Sequence, residues 1–211
     1  MTSIFIGISG PSGSGKTLLS SKIACEFPSS LVTLISEDSY YKDQKKLSPP
    51  EREKINYDSP KAFDHGLLLE HLKKLKCGDS IDAPVYDFTT HTRNNEIKRI
   101  NPTKIILIEG ILIFFHKEIR NILDIRIHVD TPLDLCLIRR MLRDVKERGR
   151  SSKSVLLQYK KHVRPSFLKN IKPYKKYAHI IVPRGGKNSV ALAMINSKLK
   201  DMLRNIFSFF F

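Results

Sequence analysis

The chain has 211 residues, 41% of them hydrophobic and 27% charged, an ordinary globular composition with enough apolar material for one α/β domain over 1–211. Its 37 Lys and Arg against 21 Asp and Glu leave a net charge of +16, which attracts polyanions, yet the basic residues are scattered and no RNP1 box or zinc finger occurs, so no specific nucleic-acid partner is expected. No apolar run approaches the roughly 20 residues that span a bilayer, which argues against a membrane partner, and Cys25, Cys77 and Cys136 lack metal-ligand spacing and read as reduced, buried thiols of a cytoplasmic protein.

The N-terminal MTSIFIGISG has no basic region of the secretory kind; residues 3–8 read instead as a buried strand. Directly after it comes Gly10-Pro11-Ser12-Gly13-Ser14-Gly15-Lys16-Thr17, a complete GxxxxGK[ST] loop, and then helical spacing over residues 17–27. In this motif backbone N–H groups cradle phosphates, the lysine reaches the β- and γ-phosphates and the hydroxyl faces magnesium, while the helix N-terminus favours negative charge. The chain therefore grips a nucleoside triphosphate.

Apolar runs at 31–35, 105–108, 125–129 and 179–182 alternate with helical patterns, so the fold class is α/β, a mainly parallel five-stranded sheet covered by helices. An insertion of about 39–104 holds an amphipathic helix over 62–76 and an alternating stretch over 81–100 that predicts two short strands joined near Thr89-Thr90, a ribbon able to overhang a pocket. A helix over 133–148 opens an arginine-rich lid of about 133–165. The terminal Phe207-Ser208-Phe209-Phe210-Phe211 is too short to cross a membrane and reads as docked or frayed.

Ligands of parallel sheets sit beyond the strand C-termini, so the residues after each run are candidates for chemistry. Asp38 follows the second strand, where it can orient an acceptor hydroxyl toward the γ-phosphate; an Asx turn or helix cap is the plainer alternative. Glu109, at the end of ILIEG, has the place of a magnesium-supporting acid, so Thr17, Glu109 and Asp38 are the metal candidates. Arg139, Arg140, Arg143, Arg148 and Arg150 crowd into twelve residues. Surface pairing with Asp144 and Glu147 is the bland account; a mobile lid over ATP, with Arg143 and Arg148 on phosphate, is the sharper one.

The segments SEDSYYKDQ, NYDSPKAFDH, PVYDFTTHTR, ILIEGIL, VDTPLDLCLIRRMLRDVKERGR, QYKKHVRPSF and KKYAHIIVPRGGKN resemble the uridine kinases, also called uridine-cytidine kinases, almost end to end. The resemblance implies transfer of the ATP γ-phosphate, GTP being an open alternative donor, to the 5′-hydroxyl of uridine or cytidine with Mg2+, in pyrimidine salvage. It implies Asp38 as the base, with Lys16 and Arg143 assisting at the phosphates and Tyr41 beside Asp38. Asp58 and Arg140 are implied on the ribose, Tyr86 and His91 on the pyrimidine, and Arg150 and Gln158 as further nucleoside contacts. It also implies a homo-oligomer, commonly a tetramer. Read without the family, Tyr86 is a strand aromatic, His91 a turn residue and Asp58 a turn initiator. Pro11, the high charge and the FSFFF tail depart from the family pattern without touching these residues. A phosphoribulokinase-like or pantothenate-kinase-like enzyme, or a basic nucleic-acid-binding NTPase, is the competing reading.

Overall fold

The computed structural model describes residues 3–208. Its centre is a sheet built on β1 (Ile4–Ser9), all six residues of which are buried. A strand without alternating exposure must be covered on both faces, and the odd and even side chains of β1 enter different cores. Ile4, Ile6 and Ile8 pack with Leu19 and Ile23 of α1 (Lys16–Ala24) and with Ile195 and Leu199 of α8 (Ser189–Ser208). Phe5 faces the other way, onto Leu68, Leu72 and Leu75 of α3 (His65–Cys77) and Ile119 and Ile122 of α4 (Lys117–Ile122). A register slip of one residue would exchange these two faces, so burial fixes the register.

The remaining strands are β2 (Val32–Ser36), β5 (Ile105–Gly110), β6 (Ile125–Asp130) and β7 (Ile180–Pro183), in the order β2-β5-β1-β6-β7. Every ladder in this sheet is parallel. Parallel pairing sends all the strand C-termini to one edge, which gathers the phosphate-binding loop, Ser36 to Asp38 and Glu109-Gly110 there.

The insertion forms α2 (Pro49–Glu53), α3 and an antiparallel ribbon of β3 (Ile81–Asp87) and β4 (Thr92–Ile100). Helix α3 begins three residues later than the spacing predicts, because Pro60–Ala62 form a separate turn and the Asp64 side chain caps the helix by accepting from Leu67 N–H at 3.2 Å. In β3 the buried residues change parity, from Ile81 and Ala83 to Tyr86. The pairing irregularity between Pro84 and Tyr86 accounts for this, turning Tyr86 inward at the tip of the ribbon.

The arginine-rich segment forms α5 (Leu133–Arg148), ended by Gly149 at φ 63°, then α6 (Ser152–Gln158), which runs through wider π-type turns around α7 (Arg164–Ser166). The expectation of three buried thiols holds for Cys136 alone; Cys25 and Cys77 are exposed, lying at the C-terminal ends of α1 and α3. The expected docking of the FSFFF tail concerns side chains outside the described residues.

Candidate active site

A cleft of about 1330 Å³ opens along the strand C-termini. At one end lies the phosphate-binding loop, whose Ser12, Gly13, Gly15, Lys16 and Thr17 border the cleft. Gly10, Pro11 and Ser14 are buried and do not border it; they shape the loop from behind, with Ser14 N–H donating to the Pro11 carbonyl at 3.0 Å. Gly13 adopts φ 81°, and a β-carbon there would stand 2.3 Å from the Cys136 carbonyl oxygen, so the loop can lie this close to α5 only with glycine at that position. The Thr131 hydroxyl donates to the Ser14 carbonyl at 2.9 Å, which ties the loop to the end of β6.

Lys16 is buried with its Nζ 3.8 Å from Glu109 Oε2. Burial pushes the Glu109 carboxyl above its ordinary pKa, while Lys16 opposes the shift. Ser36 Oγ donates to Glu109 Oε1 at 2.9 Å and accepts from Asp38 N–H at 3.3 Å, so one hydroxyl links both acids. Glu109 Oε2 and Asp38 Oδ1 are buried oxygens without a hydrogen-bond partner. Unsatisfied carboxyl oxygens in the cleft that Thr17 also borders suit a hard divalent cation. Among the described residues no three His, Cys, Asp or Glu side chains form a metal cage.

The other end of the cleft is aromatic. Tyr41 stacks on Phe63 with ring centroids 4.2 Å apart and lies 5.0 Å from Tyr86, and Tyr57 stacks on His91 at 4.4 Å. His91 sits in the turn of the ribbon at φ 55°. Burial and then Arg150 and Arg148 lower its pKa, so the imidazole is neutral at neutral pH, with one nitrogen to donate and one to accept. Asp58 is buried on the floor, where Arg140 Nη1 donates to its Oδ1 at 3.4 Å while Arg140 Nη2 donates to Gln158 Oε1 at 2.9 Å. Burial opposes the charge of Arg140, but Asp58 and Asp144 outweigh it and raise the pKa.

Thus Asp38, Tyr41, Asp58, Tyr86, His91, Glu109, Arg140, Arg143, Arg148, Arg150 and Gln158 all border one cleft with the phosphate-binding loop. The surface-pairing account of the arginines is overturned at Asp144. This carboxylate is fully buried, with Arg140, Arg143, Arg148 and Arg150 all within 3.9 Å. Arg148 also lies over the Phe88 ring, 4.2 Å from its centroid, which joins the helical segment to the ribbon.

Sequence reasoning read Asp144 only as a surface partner and missed Glu37. Glu37 is fully enclosed; His65 Nε2 lies 2.8 Å from its Oε1, and Leu112 N–H donates to Oε2 at 2.8 Å. A β-carbon on Gly110 would fall 2.2 Å from Glu37 Oε2, so this glycine leaves room for the carboxylate. An acid directly before Asp38, combined with the glycine after Glu109, was the available signal. Tyr57 also lay unremarked beside Asp58.

A model of the phosphoribulokinase/uridine kinase family matches residues 5–191. The chain is 50% identical over 201 residues to a protein named uridine kinase from Clostridium tetani, covering 95% of this chain and 96% of the relative. A uridine kinase from Escherichia coli is 52% identical over 202 residues, covering 94% and 95%. A solved structure of a fructose transport system kinase from a Silicibacter species superposes with a TM-score of 0.68 at 19% identity, over 86% of this chain and 90% of that one; it speaks for the fold alone.

Proposed function

We propose, from the premise that this chain belongs to the phosphoribulokinase/uridine kinase family, that it transfers the ATP γ-phosphate to the 5′-hydroxyl of uridine or cytidine, giving UMP or CMP. The observation that carries this reading is the single cleft in which Asp38 stands between a phosphate-binding loop and an aromatic end floored by the Asp58–Arg140 pair. Phosphoryl transfer asks for positioning and charge neutralisation more than for covalent chemistry, and this arrangement supplies both.

In the proposed reaction Lys16, Arg143 and Arg148 hold the triphosphate. Asp58 accepts hydrogen bonds from the ribose hydroxyls and is kept in place by Arg140, which Gln158 and Arg150 brace. Tyr41, Tyr86 and His91 enclose the pyrimidine and turn the 5′-hydroxyl toward Asp38. The unpartnered Oδ1 of Asp38 orients that hydroxyl and takes its proton late, as the new O–P bond forms and the bond to ADP breaks. Thr17, Glu109 and Asp38 would hold magnesium, which neutralises phosphate charge when bound.

The finer points belong to the same proposal: ATP as donor with GTP an open alternative, a cytoplasmic location and a homo-oligomer, with a tetramer implied by resemblance. Among the described residues no helix is long and apolar enough to cross a membrane. The exposed Leu135, Ile138, Leu142 and Val145, spaced along one face of α5, support self-association, and the mass in solution is its check.

The deciding experiment is ADP release with magnesium-ATP and uridine, cytidine, thymidine, adenosine or no acceptor, on the wild type and Asp38→Asn. Turnover should need uridine or cytidine and fall about 10²- to 10⁴-fold in the variant. Acceptor-independent hydrolysis, or release stimulated by polynucleotide instead, would overturn the assignment.

A further inference from the structure

Asp144 does not border the cleft, yet every arginine it meets does. It is fully buried, and its two oxygens divide these arginines into two pairs. Oδ1 accepts from Arg143 Nε at 2.9 Å and Nη2 at 2.8 Å, with Arg148 Nη1 3.7 Å away. Oδ2 faces Arg140 Nε at 3.5 Å and Arg150 Nη1 at 3.9 Å. The first pair are the arginines assigned above to the triphosphate, and the second pair those assigned to the nucleoside.

The two sides are not equally satisfied. Asp144 Oδ2 and Arg140 Nε are both buried without a hydrogen-bond partner, although they face each other across 3.5 Å. On the Oδ1 side Arg143 spends two donors on its sequence neighbour. Residues i and i+1 point about 100° apart around a helix, so Arg143 must bend across the surface of α5 to reach it. One carboxylate thus lies among four guanidinium groups, and whatever draws Arg143 away releases it from the two hydrogen bonds on Oδ1 and lets Oδ2 close on Arg140, where the attraction grows as the distance falls.

We propose that Asp144 is a positioning residue that couples the two substrates: a triphosphate that takes Arg143 and Arg148 from Oδ1 lets Oδ2 tighten on Arg140, which fixes Asp58 and Gln158 for the nucleoside. The proposal rests on the kinase reading above. Arg140 can relay the effect because its three faces are used at once, Nε toward Asp144, Nη1 toward Asp58 and Nη2 toward Gln158. By linkage the effect is reciprocal, so bound nucleoside must strengthen the grip on the triphosphate by the same factor.

The test is calorimetric titration of uridine into the protein alone and into the protein saturated with magnesium and a non-hydrolysable ATP analogue. In the wild type the analogue should lower the uridine Kd by about tenfold. In Asp144→Asn, which keeps the side-chain volume, that ratio should fall to within about twofold while each ligand still binds by itself. A merely structural Asp144 would lower the melting temperature and both affinities but leave the ratio unchanged, and that outcome overturns the proposal. Should Asp144→Asn fail to fold, Arg143→Ala decides. Arg143 is partly exposed, and at saturating analogue its removal should collapse the ratio while uridine still binds. A ratio that survives there is equally fatal. A wild type that binds uridine with a ratio of one overturns the coupling alone, whereas a wild type that binds no uridine under either condition overturns the kinase reading with it.

Discussion

At the scale of single residues, Glu109 shows how a buried acid at the cleft stands against stability. Its pKa is raised above 4.5, first by burial, with Lys16 opposing, so over the window from 4.5 up to its folded value the folded state holds a proton that the unfolded chain has released. Stability therefore falls as pH rises through that window, and the deficit persists at neutral pH. Glu109→Gln, which can still accept from Ser36 Oγ, should melt above the wild type at pH 8 and lose this advantage below about pH 4; thermal melts across that range check it, and an advantage that does not depend on pH would contradict the account. Lys16, Thr17, Asp38 and Glu109 were legible in the chain because their positions follow from a motif or a strand end. Asp144 was not, because at i+4 from Arg140 it looks like any solvated helix pair, and only the gathering of Arg140, Arg143, Arg148 and Arg150 around it, with α6 packed on α5, takes it out of water.

At the scale of elements, the Glu37 carboxylate clamps the end of β2 to the segment after β5. Glu37→Ala would leave Leu112 N–H and His65 without their partner and open a void against Gly110, a loss of about 1–3 kcal/mol for each buried polar group left unsatisfied. Glu37→Gln keeps an acceptor for Leu112 N–H and should cost clearly less. Urea midpoints of the two variants check the order, and equal midpoints would show that the carboxylate does not act as a clamp. The strands, α5 and the ribbon were readable from apolar runs and period. The inward turn of Tyr86 was not, since it depends on the irregular pairing after Pro84, which alternation alone cannot show. The late start of α3 follows from the Asp64 cap, which was written in the sequence but lay inside a longer periodic pattern.

At the scale of the whole molecule, acid sensitivity has an identifiable source inside β6. Burial lowers the His128 pKa from 6.5 to about 4, with Lys175 reinforcing the shift and Asp130 opposing it. Between those values the unfolded chain takes up a proton that the fold resists, so stability is lost as pH falls, by about 3 kcal/mol at pH 4. His128→Gln should flatten urea stability between pH 6.5 and pH 4, and an unchanged slope would place the sensitivity elsewhere. The same sheet sets how late in synthesis folding can begin. β1 pairs with β5 and β6, and β2 pairs with β5, so neither early strand has a ladder partner until the ribosome has made residue 105 and beyond. The emerging N-terminal half carries a finished phosphate-binding motif but no sheet to shape it, and the four large apolar side chains of β1, Ile4, Phe5, Ile6 and Ile8, must be kept from other chains meanwhile. Because the loop is also held by Val129, Thr131 and Cys136, all made late, stabilisation by bound ATP is expected to reach only chains whose second half has already arrived.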